Sequence, residues 1–265
     1  MVHIPNKIKI HDEESFEYMR KAGKLAAECL DYITQFIEPG ITTNRIDQLC
    51  HDFQTRHGAV PAPLNYKGFP KSVCTSVNHV VCHGIPGEKI LRKGDVVNID
   101  VTPILNGWHG DSSRMFYVGK VSIKAQKLIE VTYEAMMKGI EMAKPGNTTG
   151  DIGNAIQTYV ESKNYSVVRD FCGHGLGKVF HDNPSILHFG NKGDGDLLKE
   201  GMFFTIEPMI NIGSFKVKVL KDGWTAVTSD KELSAQFEHS IGVKKNGPEI
   251  FTLSPKKYHF PPYLL

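Results

Sequence analysis

Two short segments of this chain occur twice, in the same order and at nearly the same spacing. Residues 39–46 resemble residues 145–152, at an offset of 106 positions from 39 to 145. Residues 91–100 resemble residues 198–207, at an offset of 107 positions from 91 to 198. Chance can produce one such match, but two matches in the same order indicate an internal duplication.

Each copy has the same predicted order: a helix, a Pro-Gly-x-Thr-Thr segment, a second helix, and a strand that ends in a carboxylate. The duplicated unit predicts an α+β fold with pseudo-twofold symmetry, in which one curved antiparallel sheet is flanked by helices. Asp100 and Glu207 then occupy equivalent places beside the symmetry axis. The predicted boundaries are an N-terminal arm (1–11), a single domain (12–243) of two related halves (about 12–118 and 122–243), and a C-terminal tail (244–265).

The spacing of apolar residues gives the coarse secondary structure. Repeats at three and four positions, with Pro-Gly pairs as stops, predict helices over 12–37, from about 43, over 122–143 and over 149–162. The remaining predictions are an ordered loop over 60–69, a strand over 72–83 and mostly strands over 167–243.

An Asn-Gly pair at 106–107 lies between two apolar runs, which is a strong signal for a tight hairpin turn. With that turn, Thr102 lies opposite Asp111, and Asp100 is the diagonal neighbour of Asp111 on the same face. Two carboxylates on one face of an apolar hairpin repel each other, so one is protonated or a cation lies between them. The hairpin alone is equally compatible with a solvent-facing polar edge.

Composition excludes several classes of protein. The chain has 265 residues, 40% of them hydrophobic, and a net charge of +2, which is too small to indicate a nucleic-acid partner. Its five cysteines form no Cys-x-x-Cys pair, which favours reduced thiols over disulfides or a structural zinc. Residues 1–9 lack a signal-peptide pattern, and no apolar run is long enough for a membrane span. We therefore expect a cytoplasmic protein without membrane contact.

Four carboxylates and one histidine end or interrupt apolar runs: Asp100, Asp111, Glu207, Glu238 and His174. Any one of these carboxylates could simply pair with a lysine or arginine. If the duplication brings all four together, two divalent cations would neutralise them, since their motifs contain no basic partner. Oxygen ligands with one imidazole suit Mn, Fe, Co or Zn in a paired site, and such a pair lowers the pKa of a shared water.

Five motifs give the chain a family resemblance, and they occur in order: NIDVT (98–102), GD (110–111), FCGHGLG (171–177), FFTIEP (203–208) and QFEHS (236–240). Together they resemble the type I methionine aminopeptidases, which are dimetal hydrolases of the pita-bread fold. Type II members carry a long helical insertion before the last glutamate. The 31 positions from Glu207 to Glu238 leave no room for it.

The resemblance implies an activity and a ligand set. The enzyme would remove the N-terminal methionine from nascent proteins and peptides whose second residue is small. Asp100 would bind one metal ion through both oxygens, Asp111 and Glu238 would bridge the two ions, and His174 and Glu207 would bind the other. A metal-bridging hydroxide would attack the scissile carbonyl, with Glu207 as the base that takes the proton of the water.

Two further histidines gain roles only from the resemblance, because otherwise both are ordinary loop histidines. His181 would donate a hydrogen bond to the scissile carbonyl oxygen and stabilise the oxyanion. His83 would contact the substrate backbone and help to deliver a proton to the leaving amine. The histidines that match no motif, and are given no role, include His11 and His188.

The resemblance also implies a methionine pocket and a minor cation site. The pocket residues, which would otherwise be core or loop anchors, are Tyr66, Phe69, Cys74, Phe180 and Trp224. Phe69 and Pro63 depart from the tyrosine and cysteine frequent among relatives, which changes pocket shape but keeps it apolar. A monovalent cation, Na or K, would be held by oxygens of Asn78, Val80 and Ser234.

Two alternative functions are compatible with parts of this pattern. A prolidase or Xaa-Pro aminopeptidase shares the fold, but usually has a large N-terminal domain where this chain has only the arm. A non-catalytic relative that binds RNA or proteins would lack ligands and carry basic extensions. The expected partner is therefore the N-terminal methionine of nascent polypeptides, with the ribosome as an open possibility, and the expected state is a monomer.

Overall fold

The computed structural model describes residues 7–263, so parts of the predicted arm and tail lie outside the described residues. The helices are α1 (Glu13–Thr34), α2 (Thr43–Arg56), α3 (Ile123–Glu141) and α4 (Thr149–Ser162). Each begins after a residue whose side chain accepts a backbone N–H of the first turn: Asp12, Thr42, Ser122 and Thr148. The helical predictions are confirmed, although α1 ends three residues before the predicted end.

The strands of the first half are β1 (Val60–Pro61), β2 (Cys74–Val77), β3 (Val80–Cys82), β4 (Val96–Val101), β5 (Pro103–Leu105), β6 (Trp108–His109) and β7 (Ser112–Tyr117). Those of the remaining chain are β8 (Ser166–Val167), β9 (Gly173–Gly175), β10 (Asp182–Ile186), β11 (Phe203–Ile206), β12 (Met209–Asn211), β13 (Val217–Val219), β14 (Ala226–Thr228), β15 (Ser234–Gln236), β16 (Glu238–Lys244) and β17 (Gly247–Ile250).

The main sheet has eight strands in the described residues, in the order β10-β9-β11-β16-β7-β4-β2, with β17 beside the outer part of β16. All of its pairs are antiparallel. The predicted curved antiparallel sheet is confirmed. Three smaller sheets surround it, in the orders β1-β5-β6, β15-β12-β8 and β13-β14-β3.

The hairpin register follows the prediction. Leu105 pairs with Trp108 across the Asn-Gly turn, and Asp100 pairs with Ser113 further down the ladder. Thr102 donates a hydrogen bond from its hydroxyl to Oδ1 of Asp111 at 2.7 Å. Asp100 and Asp111 are therefore diagonal neighbours on one face.

The helices cover one face of the sheet and leave the other for polar groups. Val97 and Ile99 of β4 pack against Leu30 of α1 and Ile46 of α2 in one hydrophobic core. In the second half, α3 and α4 pack over Phe204 and other apolar residues of the sheet. Because side chains alternate along a strand, Asp100 lies on the opposite face from Ile99.

The two halves repeat a contact as well as a sequence. Thr42, which caps α2, forms a bridge with Ile90, and Thr148, which caps α4, forms a bridge with Leu197. The offsets are 106 positions from 42 to 148 and 107 positions from 90 to 197. The repeated segments thus hold equivalent helix starts against equivalent strand entries, while the half and tail boundaries stay predictions.

Three segments differ from the sequence interpretation. The strand predicted over 72–83 is two short strands, because Asn78 adopts a left-handed turn between them, with φ of 56°. The loop over 60–69 contains β1 and a single 3₁₀ turn at Tyr66–Gly68. The tail adds β17 to the main sheet. Among the described residues, no helix has the length and apolar character needed to cross a membrane.

Candidate metal centre

The five predicted metal ligands lie on or beside five consecutive strands of the main sheet. These are His174 in β9, Glu207 directly after β11, Glu238 in β16, Asp111 directly before β7 and Asp100 in β4. All five line one cavity of about 380 Å³. Residues separated by up to 138 positions in sequence, from Asp100 to Glu238, are thus brought together by strand order alone.

The ligand atoms are close enough to share a cation. Single ligand atoms of Asp111, His174 and Glu238 lie within 4.8 Å of one another. Nε2 of His174 is 3.6 Å from Oδ2 of Asp111 and 3.6 Å from Oε1 of Glu207. Carboxylates and one imidazole at this separation are a donor set for divalent metal ions.

The electrostatics of the cavity fit the same interpretation. Burial raises the pKa of Asp111 to about 7, and burial together with the Asp111 carboxylate raises that of Asp100 well above its ordinary value. Burial and neighbouring carboxylates do the same to the pKa of Glu207 and of Glu238. In the part of the chain that the structure describes, no lysine or arginine forms an ion pair with any of the four. Divalent cations would supply the missing positive charge.

His174 is suited to bind metal as a neutral ligand. Burial lowers the pKa of His174 to about 4. Its Nδ1 lies 3.1 Å from the carbonyl oxygen of Gly175, so Nδ1 carries the proton and the lone pair of Nε2 faces the cavity.

Neighbouring hydroxyl groups fix the carboxylates. Thr205 is fully buried; its hydroxyl donates to Oε1 of Glu207 at 2.7 Å and accepts from the N–H of His174 at 3.1 Å. One threonine therefore orients two ligands at once. The Thr102 hydroxyl orients a third ligand, Asp111, in the same way. Groups of this kind orient metal ligands in many proteins.

His83 and His181 lie in different parts of the same cavity wall. The ring of His83 is edge-on to Phe171 and Trp224, and burial lowers its pKa. His181 is exposed at the mouth, and its ring centroid lies 4.2 Å from that of His174. Both histidines can therefore reach a group held beside the carboxylates.

The predicted pocket residues form an apolar wall around the ligands. Tyr66, Phe69, Cys74, Phe180 and Trp224 all line the cavity. The ring centroids of Phe69 and Trp224 are 5.2 Å apart, and those of Tyr66 and Phe180 are 4.9 Å apart. The segment that carries Tyr66 is closed by a backbone hydrogen bond from Asn65 N–H to the Phe69 carbonyl.

Other wall residues were not singled out from the sequence. These are Lys67, Cys82, Asp170 and Met209. Cys82 could have been found, because it directly precedes His83 in the sequence. Lys67, in the 3₁₀ turn, and Asp170 are exposed and carry no sequence signal of their own.

The residues of the predicted monovalent cation site come together only in part. The carbonyl oxygen of Asn78 accepts the N–H of Ser234 at 3.0 Å. The side-chain amide of Asn78 donates a hydrogen bond to Asp95, and its side-chain oxygen accepts one from the N–H of Val96. Val80 lies next to this turn as the first residue of β3. The cation itself stays a prediction.

Comparison with known proteins agrees with this geometry. The model of metallopeptidase family M24 matches residues 17–245. The chain is 66% identical to a methionine aminopeptidase of Rickettsia prowazekii, over 97% of this chain and 99% of that one. It is 50% identical to a methionine aminopeptidase of Escherichia coli, over 93% of this chain and 94% of that one.

Solved structures give the same agreement in three dimensions. A crystal structure of methionine aminopeptidase from Rickettsia prowazekii superposes with a TM-score of 0.93, over 93% of this chain and 100% of that chain. A crystal structure of methionine aminopeptidase from Thermotoga maritima, 39% identical in sequence, superposes with a TM-score of 0.91, over 93% of this chain and 99% of that chain. The predicted pita-bread fold is thereby confirmed.

Proposed function

The chain belongs to metallopeptidase family M24 as one of its type I methionine aminopeptidases, and from that premise we propose how its cavity removes an N-terminal methionine. The observation that carries the proposal is the position of four carboxylates, two buried and two half-buried, and His174 beside an apolar wall in one cavity. A hydrolytic centre and a slot for an unbranched side chain therefore share one space.

The carboxylates of Asp100, Asp111, Glu207 and Glu238 and the imidazole of His174 would hold two divalent ions. When bound, such a pair lowers the pKa of a water molecule and so supplies a nucleophile near neutral pH. The choice among Co, Mn, Fe and Zn is open, because oxygen and imidazole ligands suit all four. Na or K beside Asn78, Val80 and Ser234 would be a lesser, structural ion.

Glu207 is our choice for the general base. Its carboxylate is half-buried, and the neighbouring charges of Asp111 and Asp100 add to desolvation in raising its pKa. A carboxylate of raised pKa accepts a proton from water more readily than an exposed one does. The Thr205 hydroxyl holds Oε1 of Glu207 in one orientation, and the side-chain amide of Gln236 donates a hydrogen bond to Oε2.

The two cavity histidines would act on the substrate. His181, at the mouth, would donate from Nε2 to the scissile carbonyl oxygen as charge develops there. His83 would contact the scissile nitrogen and deliver a proton to the leaving amine. Tyr66, Phe69, Cys74, Phe180 and Trp224 would enclose the methionine side chain, and the aromatic rings and the Cys74 thiol suit a thioether sulfur.

We extend the proposal to where the enzyme works. The five cysteines are free, which suits a reducing compartment, and the cytoplasm supplies nascent chains with N-terminal methionine. A single chain contains every residue of the proposed site, so a monomer suffices for activity. Docking on the ribosome is compatible with this proposal but is not required by it.

The test is release of methionine from Met-Gly-Met-Met, compared with cleavage of an Xaa-Pro peptide, before and after exhaustive chelation. We expect release of methionine only, its loss on chelation and its return when a divalent ion is added. Activity that survives complete metal removal, or a preference for the Xaa-Pro peptide, would reject the proposal.

A further inference from the structure

His188, which matches no sequence motif, lies directly behind the proposed base. It follows β10, its side chain is fully buried, and its Nε2 lies 3.1 Å from the backbone nitrogen of Glu207. Its second ring nitrogen, Nδ1, is buried and forms no hydrogen bond among the described residues. The hydrogen bond to Glu207 is therefore the one polar contact of this ring.

The backbone of Glu207 needs this partner because the strand ends there. Ile206 is the last residue of β11 and pairs with His239. The next residue after Glu207 is Pro208, which has no N–H and turns the chain away from the ladder. An N–H at such a point has no strand partner, and buried backbone donors are normally paired.

The direction of the hydrogen bond is fixed by chemistry. Because the Glu207 backbone nitrogen can only donate, Nε2 of His188 must accept, and the proton of the neutral ring lies on Nδ1. A lysine or a protonated histidine at this place has only donors and could not accept this N–H. The imidazole is thus used as an acceptor of defined position.

The segment that carries His188 is itself held firmly. Gly153 of α4 packs so closely on it that a Cβ there would lie 2.7 Å from the Leu187 carbonyl oxygen and 2.5 Å from that of Phe189. Asn154 donates to the carbonyl of Gly190 at 3.0 Å. Two contacts with one helix therefore fix the backbone on both sides of His188.

We propose that His188 is a positioning residue that sets the backbone of Glu207, and thereby the direction of its carboxylate, for metal binding and proton transfer. Three anchors then hold Glu207: His188 at its N–H, Thr205 at Oε1 and Gln236 at Oε2. Of the three, only His188 binds the backbone N–H; Gln236 also lies 3.5 Å from the backbone carbonyl oxygen of Glu207. This inference rests on the proposed function of Glu207.

Two substitutions separate positioning from mere filling of the core. His188→Gln places an acceptor close to the former Nε2, whereas His188→Leu has comparable volume and no acceptor. For each variant, binding of Mn²⁺ to the metal-free protein is measured by calorimetry, with kcat and KM on a Met-Ala peptide at saturating metal. For His188→Leu we expect weaker Mn²⁺ binding by about 10–100-fold and a lower kcat at similar KM. His188→Gln should restore most of both.

Three outcomes are decisive. If His188→Leu and His188→Gln bind Mn²⁺ alike and differ from the unmodified chain only in Tm, His188 merely fills space and the inference is overturned. If both variants fail to fold, nitrogen-15 NMR of the histidine rings in the unmodified, metal-free protein still decides, since His188 must carry its proton on Nδ1. A proton found on Nε2 would refute the acceptor role. The Mn²⁺ and NMR measurements do not depend on methionine release, so failure of the proposed function is seen separately.

Discussion

Tyr66 and His181 share a hydrogen bond at the mouth of the cavity, with 2.9 Å between the tyrosine oxygen and Nδ1 of the histidine. Their rings are also stacked, with centroids 5.1 Å apart. If the hydroxyl donates, the neutral His181 ring carries its proton on Nε2, which is the donor needed at a carbonyl oxygen. A residue of the predicted methionine pocket is thus joined to a predicted catalytic histidine.

Replacing Tyr66 by phenylalanine tests this connection. We expect kcat to fall by about fivefold with little change in KM, because a lost neutral hydrogen bond costs about 1 kcal/mol while the ring that contacts methionine remains. Kinetics on one Met-Ala peptide measure both constants. Tyr159→Phe, on the surface of α4, is the matched control and should leave both unchanged. A Tyr66→Phe variant that raises KM alone would make Tyr66 a pocket residue only.

His181 and His174 have adjacent rings but different predicted roles. For His181→Ala we expect kcat to fall by about 10²–10³-fold with metal content intact, because one oxyanion donor is lost. For His174→Ala we expect loss of bound metal, since a ligand is removed. Metal analysis alongside kcat distinguishes the two. Stoichiometric metal loss in His181→Ala would make His181 a ligand instead.

Cys74 is predicted to limit the depth of the methionine slot. It lies 7% exposed in the cavity wall, paired with Asp100 across the strands. We expect Cys74→Trp to fill the slot and abolish methionine release without releasing metal, and Cys74→Ala to retain turnover. Near-normal turnover of Cys74→Trp would show that the specificity residues are misplaced.

Phe69 should tolerate the change to tyrosine. Its backbone is held by hydrogen bonds within the 60–69 segment, so its ring has no need of a hydroxyl to keep the loop in place. The added oxygen alters one wall of the slot, and we expect a shift in KM larger than that in kcat. A fall in kcat with unchanged KM on the same peptide would contradict this expectation.

Metal binding and pH should be coupled through the buried carboxylates. Burial raises the pKa of Asp111 from 3.8 to about 7 in the metal-free chain, so between about pH 4 and pH 7 the folded state holds more protons than the unfolded state. The metal-free fold therefore loses stability as pH rises from about 4 to about 7, and metal must displace those protons to bind.

The gap in Tm between metal-loaded and chelated protein should accordingly be larger at about pH 7.5 than at about pH 5.5. Calorimetry of both forms at each pH measures it. In the chelated form, Asp111→Asn removes the titrating group and should weaken the pH dependence. A gap that narrows with rising pH would contradict the carboxylate assignment.

The sequence was most informative where local chemistry fixes geometry. The Asn-Gly turn sets the register of the hairpin, and with it the diagonal of Asp100 and Asp111, because each pair along the ladder follows from the turn. Capping residues such as Thr42 and Thr148 likewise determine where helices begin. The fold and the convergence of the ligands follow from these local signals and the internal repeat.

What the sequence could not reveal depends on contacts between distant segments. His188 lies 19 positions before Glu207, and its segment is held by the close approach of α4 at Gly153. The turn at Asn78 that divides the predicted strand needs a residue in the left-handed region, which asparagine permits but does not require. Strand β17 forms because β16 extends beyond β7 and leaves an edge to pair.

The strand order has a consequence for biosynthesis. Strand β16 is translated after every other strand of the main sheet except β17, yet it lies at the middle of that sheet, between β11 and β7. Until residues 238–244 have left the ribosome, no strand joins the two groups of the main sheet on either side, and Glu238 is missing from the centre. A growing chain therefore has no half-active stage: the sheet closes and the ligand set becomes complete in the same late event.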